Sequence, residues 1–330
     1  MKNRDELKNR IAGALYGVAV GDAMGGPVEF MTAPAIAAKY GGPVEDMVGG
    51  GWLDLRPGET TDDTAMTMAV AEGIMQTKGD NPIAAIGKRF IEWANSGPKD
   101  IGGTCRAAIH AAERIAAEKG EGVPSAETWC DAAEEVAKLN GGRSGGNGAL
   151  MRTIYPALYY KDKETAISVA SAQSLMTHWD EKSREACKIY ARVVHYLLEF
   201  SYRAQGPTDT KHDLAYQKAG TRSILLPSSY SVKELIARCE ADIVPCSGYV
   251  VDSMVGALYA VFSTETFAAA VIKAVNAGGD ADTIGAICGG FAGALYGYNN
   301  IPTKWLDALS AADRTRLDAA VDAAVENWEA

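Results

Sequence analysis

The sequence predicts an all-α fold, arranged as a single compact multi-helix domain over residues 1–330. Apolar residues recur at helical spacing along most of the chain, whereas few segments alternate with the period of two that marks a half-buried strand. Runs of β-branched residues are also rare. With 330 residues and a hydrophobic content of 47%, the chain has enough apolar side chains for one large core, and no segment has the composition of a linker.

The first predicted helix covers residues 5–23, where apolar residues at helical spacing are mixed with many Gly and Ala residues. Gly weakens an isolated helix, but small side chains let two helix backbones approach closely. The hexapeptide Ala-Gly-Ala-Leu-Tyr-Gly occurs at 12–17 and again at 292–297. No fixed period joins the two copies, so we expect two core helices with the same packing problem rather than a repeat protein.

The other helices are predicted from the same spacing, with Gly and Pro marking the loops between them. In chain order they cover residues 60–76, 81–96, a helix that the segment 100–104 opens and that runs to 119, 128–139, 164–176, 181–200, 232–240, a helix that the segment 248–252 opens and that runs to 262, and then 266–275, 284–296, 304–309 and 313–328. The loop 141–148 is predicted to run straight into the segment 149–152 and a further helix. The segment 41–59, with its Gly and Pro residues, is predicted to be a flexible cover over a site, and 201–231 to be a polar surface excursion without an assigned function.

Charge and composition narrow the range of partners. The formal net charge is −10 and there is no Lys/Arg-rich block, which argues against nucleic acid or an anionic membrane as the main partner. None of the six cysteines forms a C-x-x-C pair, so we expect reduced cysteines rather than zinc ligands or disulfides. The N-terminus lacks a signal-peptide pattern, and the longest small-apolar run, 284–296, is shorter than the ~20 residues that span a bilayer. We expect a cytoplasmic protein.

Two helix starts carry the densest chemistry. The segments 61–64 (Thr-Asp-Asp-Thr) and 280–283 (Asp-Ala-Asp-Thr) each precede an apolar helix rich in small residues. Each could simply cap its helix, because Thr and Asp satisfy free N–H groups and suit the positive end of the helix dipole. Together, their carboxylate and hydroxyl oxygens form a hard ligand set that suits Mg²⁺ or Mn²⁺ better than Zn²⁺. Divalent cations would also relieve the repulsion between four clustered carboxylates.

Three other features have both a functional and an ordinary interpretation. The loop 141–148 is the most glycine-dense stretch, and N–H groups of such a loop at a helix start form an anion cradle; a mobile loop without a ligand is the alternative. It is neither a Walker A loop nor a convincing dinucleotide fingerprint. His178, at a predicted helix junction, could contact a ligand or be a cap or surface residue. Glu29 could be a site residue or a solvated loop acid.

Four motifs, in this order, resemble those of the ADP-ribosylglycohydrolase family, including its dinitrogenase reductase-activating glycohydrolase type. They are 21–25 (Gly-Asp-Ala-Met-Gly) with Glu29, 61–64, 146–152 (Gly-Asn-Gly-Ala-Leu-Met-Arg) and 278–285 (Gly-Gly-Asp-Ala-Asp-Thr-Ile-Gly). Four ordered motifs that span about residues 13–297 are far more specific than any one of them.

The resemblance implies an all-α fold and a centre of two divalent cations, Mg²⁺ or Mn²⁺, that removes ADP-ribose from modified targets. The metal ligands that it implies are Thr61, Asp62, Asp63, Asp280, Asp282 and Thr283. The catalytic residues that it implies are Glu29, near the metals, and Asp100, near the scissile bond. The substrate-binding residues that it implies are Gly102, Ser144, Gly145, Gly146, Asn147, Gly148, His178 and Tyr249.

The activity expected from the resemblance is hydrolysis of ADP-ribose from a modified protein side chain, with ADP-ribose as the product. Asp100 favours ADP-ribosyl-arginine over ADP-ribosyl-serine as the substrate. Hydrolysis of another ADP-ribose conjugate, such as a small conjugate or a nucleic-acid end, is an alternative. A non-catalytic ADP-ribose-binding relative is another, although the complete set of ligands argues against it. Either Glu29 or Asp100 would be the general base.

Overall fold

Fourteen α-helices form the fold over the part of the chain that the computed structural model describes, residues 2–203, 218 and 244–329. These residues contain no strand, and their β-type pairing is limited to three isolated bridges. The prediction of an all-α fold is confirmed. The surface excursion predicted over 201–231 and the helix predicted over 232–240 lie outside the described residues, except for 201–203 and 218.

The helices follow one another with short connections. In chain order they are α1 (Lys2–Gly25), α2 (Ala33–Tyr40), α3 (Asp62–Gln76), α4 (Ile83–Asn95), α5 (Gly103–Lys119), α6 (Ala126–Leu139), α7 (Ile154–Tyr159), α8 (Lys163–Ser174), α9 (Glu181–Arg203), α10 (Val250–Phe262), α11 (Phe267–Val275), α12 (Ala281–Tyr296), α13 (Thr303–Ala308) and α14 (Ala311–Glu329). Two short 3₁₀ turns, Gly26–Val28 and Tyr298–Asn300, follow α1 and α12.

The antiparallel pair α1 and α12 lies at the centre of the fold. Every residue of α12 is buried. A Cβ atom at Gly17 would meet the carbonyl oxygen of Gly289, and one at Gly289 would meet the carbonyl oxygen of Gly17. Gly13 and Gly293 show the same reciprocal approach. Glycine in a helix interior destabilises a helix by roughly 0.5–1 kcal/mol relative to alanine, and here it allows two backbones to touch. The packing role expected from the repeated hexapeptide is confirmed.

The same antiparallel packing places the candidate site. Because the two helices run in opposite directions, the end of α1 lies beside the start of α12, and a Cβ atom at Gly25 would meet the backbone of Ala281 and Asp282. The start of α3 joins them, since the backbone N–H of Thr61 donates a hydrogen bond to Asp22 on α1 at 3.0 Å. Two helix starts that are distant in sequence therefore share one end of the central pair.

Helix α1 and the turn after it contain a stretch that, by length and composition alone, could cross a membrane. The stretch covers Arg4–Val28, and its most apolar window is entirely buried within the protein. This stretch is longer than the small-apolar run 284–296. Full burial against other helices is the behaviour of a core helix.

The structure contains one helix that the sequence analysis did not predict. Helix α2 begins after Thr32, whose hydroxyl accepts a hydrogen bond from the N–H of Ala35 at 3.3 Å, and has a proline in its first two positions. It ends at Gly41, which adopts a left-handed conformation with φ of 76°. A capping Thr, an early Pro and a final Gly are all readable helix signals, but α2 has only eight residues and a single fully buried side chain, Ile36.

The helix predicted after the loop 141–148 begins later than expected, because residues 149–152 do not belong to it. Helix α7 starts at Ile154, and the residues before it form turns. In these turns the N–H groups of Leu150 and Thr153 donate to carbonyls three residues back, at 2.7 and 3.1 Å. The side chain of Arg152 occupies the carbonyl of Gly148, which a regular helix would have offered to the N–H of residue 152.

Candidate metal centre and active site

The two acidic helix starts meet. The hydroxyl of Thr283 donates a hydrogen bond to Oδ2 of Asp63 at 3.3 Å, although the two residues are 220 positions apart. The hydroxyl of Thr61 lies 3.5 Å from the same carboxylate oxygen. The sequence placed each cluster at the start of a helix, and the fold brings the clusters within one hydrogen bond of each other.

Three carboxylates form the part of this region that best suits a cation. Oxygen atoms of Glu29, Asp280 and Asp282 lie within 4.8 Å of one another. Asp63 is near enough to feel the charges of Glu29, Asp280 and Asp282, and its Oδ1 is buried without a hydrogen-bond partner among the described residues. Buried polar atoms are almost always satisfied, so this unpartnered oxygen in the neighbourhood of three carboxylates fits a site for hard cations.

The electrostatics of the cluster support the same fit. Burial, followed by the charges of neighbouring carboxylates, raises the pKa of Asp63 and Asp282 well above the usual range. Burial raises the pKa of Asp62 to about 7, with Asp100 as the next largest cause, and raises that of Glu29 to about 8. No lysine or arginine lines the cleft within the described ranges. The carboxylates therefore lack a cationic side chain to offset their repulsion, and divalent cations would supply the missing charge.

Asp22, on α1, holds the first helix start in place. Its carboxylate accepts hydrogen bonds from the backbone N–H groups of Thr61 and Thr64, each at 3.0 Å, and from both of their hydroxyls. Thr61 stands at the N-cap position of α3, but its side chain makes no capping bond. The capping interpretation of Thr61 is therefore wrong, because a carboxylate from another helix takes the free N–H groups.

A cleft of about 380 Å³ opens onto the carboxylates. Its lining includes eleven of the predicted site residues: Glu29, Asp62, Asp100, Gly102, Gly146, Asn147, Gly148, His178, Asp280, Asp282 and Thr283. Thr61 and Asp63 do not line it; the hydroxyl of Thr61 donates to Asp22, and the carboxylate of Asp63 accepts from Thr283. Ser144, Gly145 and Tyr249 do not line the cleft.

The glycine-rich loop is joined to the segment that precedes α10. The N–H of Val250 donates to the carbonyl of Gly145 at 3.0 Å, and the N–H of Asn147 donates to that of Gly248 at 3.1 Å. The amide of Asn147 also reaches Oδ2 of Asp280, at 2.6 Å. Asn147 therefore links this loop directly to a carboxylate of the second helix start.

Aromatic side chains mark the rim of the cleft. Phe30 and Trp52 are 69% and 54% exposed, and their ring centroids are 5.7 Å apart. Nε1 of Trp52 donates a hydrogen bond to Glu29 at 2.6 Å, so Glu29 is anchored and is not a solvated loop acid. Tyr249, which lies outside this rim, is 38% exposed, and its hydroxyl accepts a hydrogen bond from Lys182 at 2.8 Å.

Comparisons with known proteins agree with this geometry. The sequence profile described as ADP-ribosylglycohydrolase matches residues 3–330. The ADP-ribosyl-[dinitrogen reductase] glycohydrolase of Rhodospirillum rubrum is 35% identical over 96% of each chain, and the ADP-ribosylarginine hydrolase Tri1 of Serratia proteamaculans is 31% identical over 94% of this chain and 77% of its own. A solved structure, "ADP-ribosylglycohydrolase-related protein complex", superposes with a TM-score of 0.73 at 27% identity, over 98% of this chain and 99% of that one.

The chain belongs to the ADP-ribosylglycohydrolase family. The resemblance drawn from the four ordered motifs is confirmed. Since its relatives are named glycohydrolases and hydrolases of ADP-ribosyl groups, this ADP-ribosylglycohydrolase is an enzyme that hydrolyses ADP-ribose conjugates.

Sequence reasoning missed two residues that shape this ADP-ribosylglycohydrolase site. Asp22 offered no signal of its own, because an acid inside an apolar helix reveals its partners only in three dimensions. Trp52 lies in the segment 41–59, which was predicted to cover a site, and its position at the cleft agrees with that prediction. A Trp in a loop rich in Gly and Pro is a sequence signal of an exposed aromatic residue.

Proposed function

We propose that this ADP-ribosylglycohydrolase removes ADP-ribose from ADP-ribosyl-arginine in a protein, with two divalent cations, Mg²⁺ or Mn²⁺, at the meeting of the two helix starts. The observation that carries the proposal is the cluster of Glu29, Asp280 and Asp282 at the floor of the cleft, with an unpartnered oxygen of Asp63 in its neighbourhood. The name of the relative from Serratia proteamaculans, an ADP-ribosylarginine hydrolase, supports the arginine linkage, and the name of the relative from Rhodospirillum rubrum supports a modified protein as the substrate.

The residues proposed to hold the cations belong to both helix starts: Thr61, Asp62, Asp63, Asp280, Asp282 and Thr283. When bound, such cations supply Lewis acidity and orient the ribose hydroxyls of the substrate. The protein contributes a rigid donor set, because Asp22 fixes the first start from α1 and Asn147 fixes Asp280 from the glycine-rich loop.

The rest of the cleft suits ADP-ribose. The protein has a net charge of −10, so the anionic diphosphate needs local donors rather than a favourable overall field. Backbone N–H groups of the loop 144–148 and the side chain of His178 are proposed to bind the diphosphate and ribose. Tyr249 forms an isolated β-bridge with Gly146, and its side chain is exposed. We propose that this side chain packs against the nucleotide.

Hydrolysis requires a carboxylate that takes a proton from water. In the proposed reaction the water oxygen bonds to C1″ of the ribose, the bond from C1″ to the guanidine nitrogen breaks, and a proton goes to the leaving guanidine. Nearby carboxylates stabilise the oxocarbenium-like transition state. Glu29 is held by Trp52 and lies among the proposed metal ligands, whereas among the described residues Asp100 accepts a hydrogen bond only from the N–H of Ile101, at 2.7 Å. We therefore propose Asp100 as the general base and Glu29 as a residue that completes the metal centre.

The proposal is tested by measuring release of ADP-ribose from a mono-ADP-ribosyl-arginine protein with Mg²⁺, with Mn²⁺ and with a chelator. Release that depends on either metal supports both the linkage and the cofactor. Release that persists in chelator would contradict the metal centre but not the arginine linkage. Absence of release from the arginine conjugate, with release from a serine or ester conjugate, would move the enzyme to another linkage. Inactivity on all conjugates, with retained ADP-ribose binding, would indicate a non-catalytic relative.

The assignment of the general base has its own test. Asp100→Asn is expected to lower kcat by about 10²–10⁴-fold, the range usual for loss of a general base, while ADP-ribose affinity changes little. Glu29→Gln is expected to weaken metal affinity as well as kcat. If Asp100→Asn kept the wild-type kcat and Glu29→Gln abolished it without changing metal affinity, the two roles would be reversed.

A further inference from the structure

Arg152, the last residue of the glycine-rich motif, is a fully buried cation without a carboxylate among its described partners. Its Nε donates to the side-chain oxygen of Gln173 at 2.8 Å, and its Nη2 donates to the carbonyl of the same residue at 3.0 Å. Its guanidinium carbon lies 4.5 Å from the centre of the Phe90 ring. Burial of a charge is expensive, so the guanidinium needs the several hydrogen bonds that it makes here.

Two of those hydrogen bonds point toward the cleft. Nη1 of Arg152 donates to the carbonyl of Gly148 at 3.2 Å, and Nη2 donates to the hydroxyl oxygen of Thr177 at 2.8 Å. The same hydroxyl oxygen lies 2.8 Å from Nδ1 of His178. Arg152, Thr177 and His178 therefore form a chain that ends at an imidazole on the cleft wall.

The chemistry of its members limits the direction of this chain. A guanidinium can only donate, so the Thr177 oxygen accepts from Arg152 through one of its two lone pairs, and its own proton is available to Nδ1 of His178. Burial lowers the pKa of His178 to about 3, with the charge of Arg152 as the second cause, so the imidazole is neutral at physiological pH. In a neutral imidazole one nitrogen accepts and the other donates. A proton given by Thr177 to Nδ1 leaves the hydrogen of His178 on Nε2.

The Nε2 side of His178 faces the glycine-rich loop. A Cβ atom added to Gly146 would lie 3.2 Å from Nε2, and one added to Gly148 would lie 3.1 Å from the adjacent Cε1. The missing side chains therefore leave this edge of the ring open toward the cleft. Nε2 has no hydrogen-bond partner among the described residues, although the residue as a whole is only 2% exposed.

We propose that Arg152 and Thr177 are positioning residues that fix His178 in the tautomer with its proton on Nε2, so that this N–H donates to an acceptor oxygen of the bound ADP-ribosyl group. The acceptor is a phosphate or ribose oxygen, since both accept hydrogen bonds. This inference rests on the proposed function for the identity of the ligand, but the tautomer itself does not depend on it.

The tautomer can be read in the wild-type protein without ligand or substitution. The chain has four histidines, so histidine labelled with ¹⁵N gives few signals, and His178→Gln identifies those of His178. The couplings of the ring protons to the two nitrogens distinguish the tautomers. A protonated Nε2 with an unprotonated Nδ1 is expected from pH 5 to 8. A protonated Nδ1 would overturn the inference, because Thr177 would then accept from the ring rather than donate to it.

The role in binding is tested with a matched pair of variants. Thr177→Ser keeps the hydroxyl and is expected to bind ADP-ribose with wild-type affinity. Thr177→Val keeps the shape but removes the hydroxyl, so it is expected to bind roughly tenfold more weakly, with unchanged Mg²⁺ affinity and a His178 ring that no longer shows a single tautomer. Equal affinity of both variants would overturn the positioning role. Failure of the wild type to bind ADP-ribose would instead count against the proposed function, while the tautomer measurement would stand.

Discussion

The starts of α3 and α12 have nearly the same sequence chemistry but are held by different parts of the protein. The start of α3 is fixed by Asp22, a carboxylate on the central helix α1. The start of α12 is fixed by the amide of Asn147, from the glycine-rich loop over the cleft. The first start is therefore built into the core, and the second is connected to the surface that would receive the substrate. We infer from the comparison that Asp22 determines how stably the first start is held, whereas Asn147 couples the second start to the cleft.

The largest expected effect on activity comes from removing a carboxylate from either helix start. We expect Asp282→Ala and Asp62→Ala each to lower kcat by at least about 10³-fold, because Lewis-acid stabilisation of several kcal/mol would be lost. The fold should persist, since both changes relieve repulsion between buried carboxylates. Single-turnover release of ADP-ribose measures the effect, and circular dichroism checks the fold. Near-wild-type activity of either variant would contradict the assignment of the centre.

Replacing the anchor of α3 tests whether the first start is structural. Asp22→Asn puts an amide NH₂ against donors that now bind a carboxylate, and we expect a loss of about 3 kcal/mol in the free energy of unfolding. Asp162→Asn is a matched control, because Asp162 also accepts from the N–H and the hydroxyl of one threonine, Thr165, but at an exposed helix start. Its substitution should change stability little, since Asn is also a good N-cap. Equal effects in urea denaturation would show that Asp22 is an ordinary cap.

Most of the fold and the composition of the centre could be predicted from the sequence, and the two anchors show what could not. Helical spacing revealed the long helices, and the carboxylates and hydroxyls of 61–64 and 280–283 marked the two acidic helix starts that the fold brings together. That Asp22 binds the first start and Asn147 the second depends on how distant helices pack, and helical periodicity contains no information about such pairs. The delayed start of α7 was hidden for the same reason, because the side chain of Arg152 competes for a backbone carbonyl.

The dependence of stability on pH gives a smaller effect that involves both starts. Burial raises the pKa of Asp22 to about 6, that of Asp62 to about 7 and that of Glu29 to about 8. Their pKa values in the unfolded chain are near 4, so the folded, metal-free protein binds more protons between those values. Its stability should therefore fall as pH rises from about 4 to 8.

Addition of Mg²⁺ should reverse this trend, because the cations compete with protons for the same oxygens. A single cation present at 100 times its Kd adds about 2.7 kcal/mol to the free energy of unfolding. At a fixed Mg²⁺ concentration this gain should grow with pH, because the Kd falls as the carboxylates lose their protons. Thermal melts at pH 5, 6.5 and 8, in chelator and in Mg²⁺, measure the effect. A stabilisation by Mg²⁺ that is the same at all three pH values would indicate that the cations do not bind these carboxylates.

The smallest expected effect distinguishes the roles of Asp22 and Asn147 by ligand binding rather than by stability. Asn147→Ala removes the hydrogen bond to Asp280 but no proposed metal ligand, and we expect roughly tenfold weaker metal binding, as is common when a partner of a ligand is lost. ADP-ribose affinity should fall with it. Ser253→Ala is the control, because Ser253 accepts from the same amide at 2.8 Å without touching Asp280. Its metal affinity should stay near that of the wild type in calorimetric titration. If Asn147→Ala weakened ADP-ribose binding and left metal affinity unchanged, the glycine-rich loop would not influence the metal centre. The second helix start would then be independent of the cleft surface, as the first is.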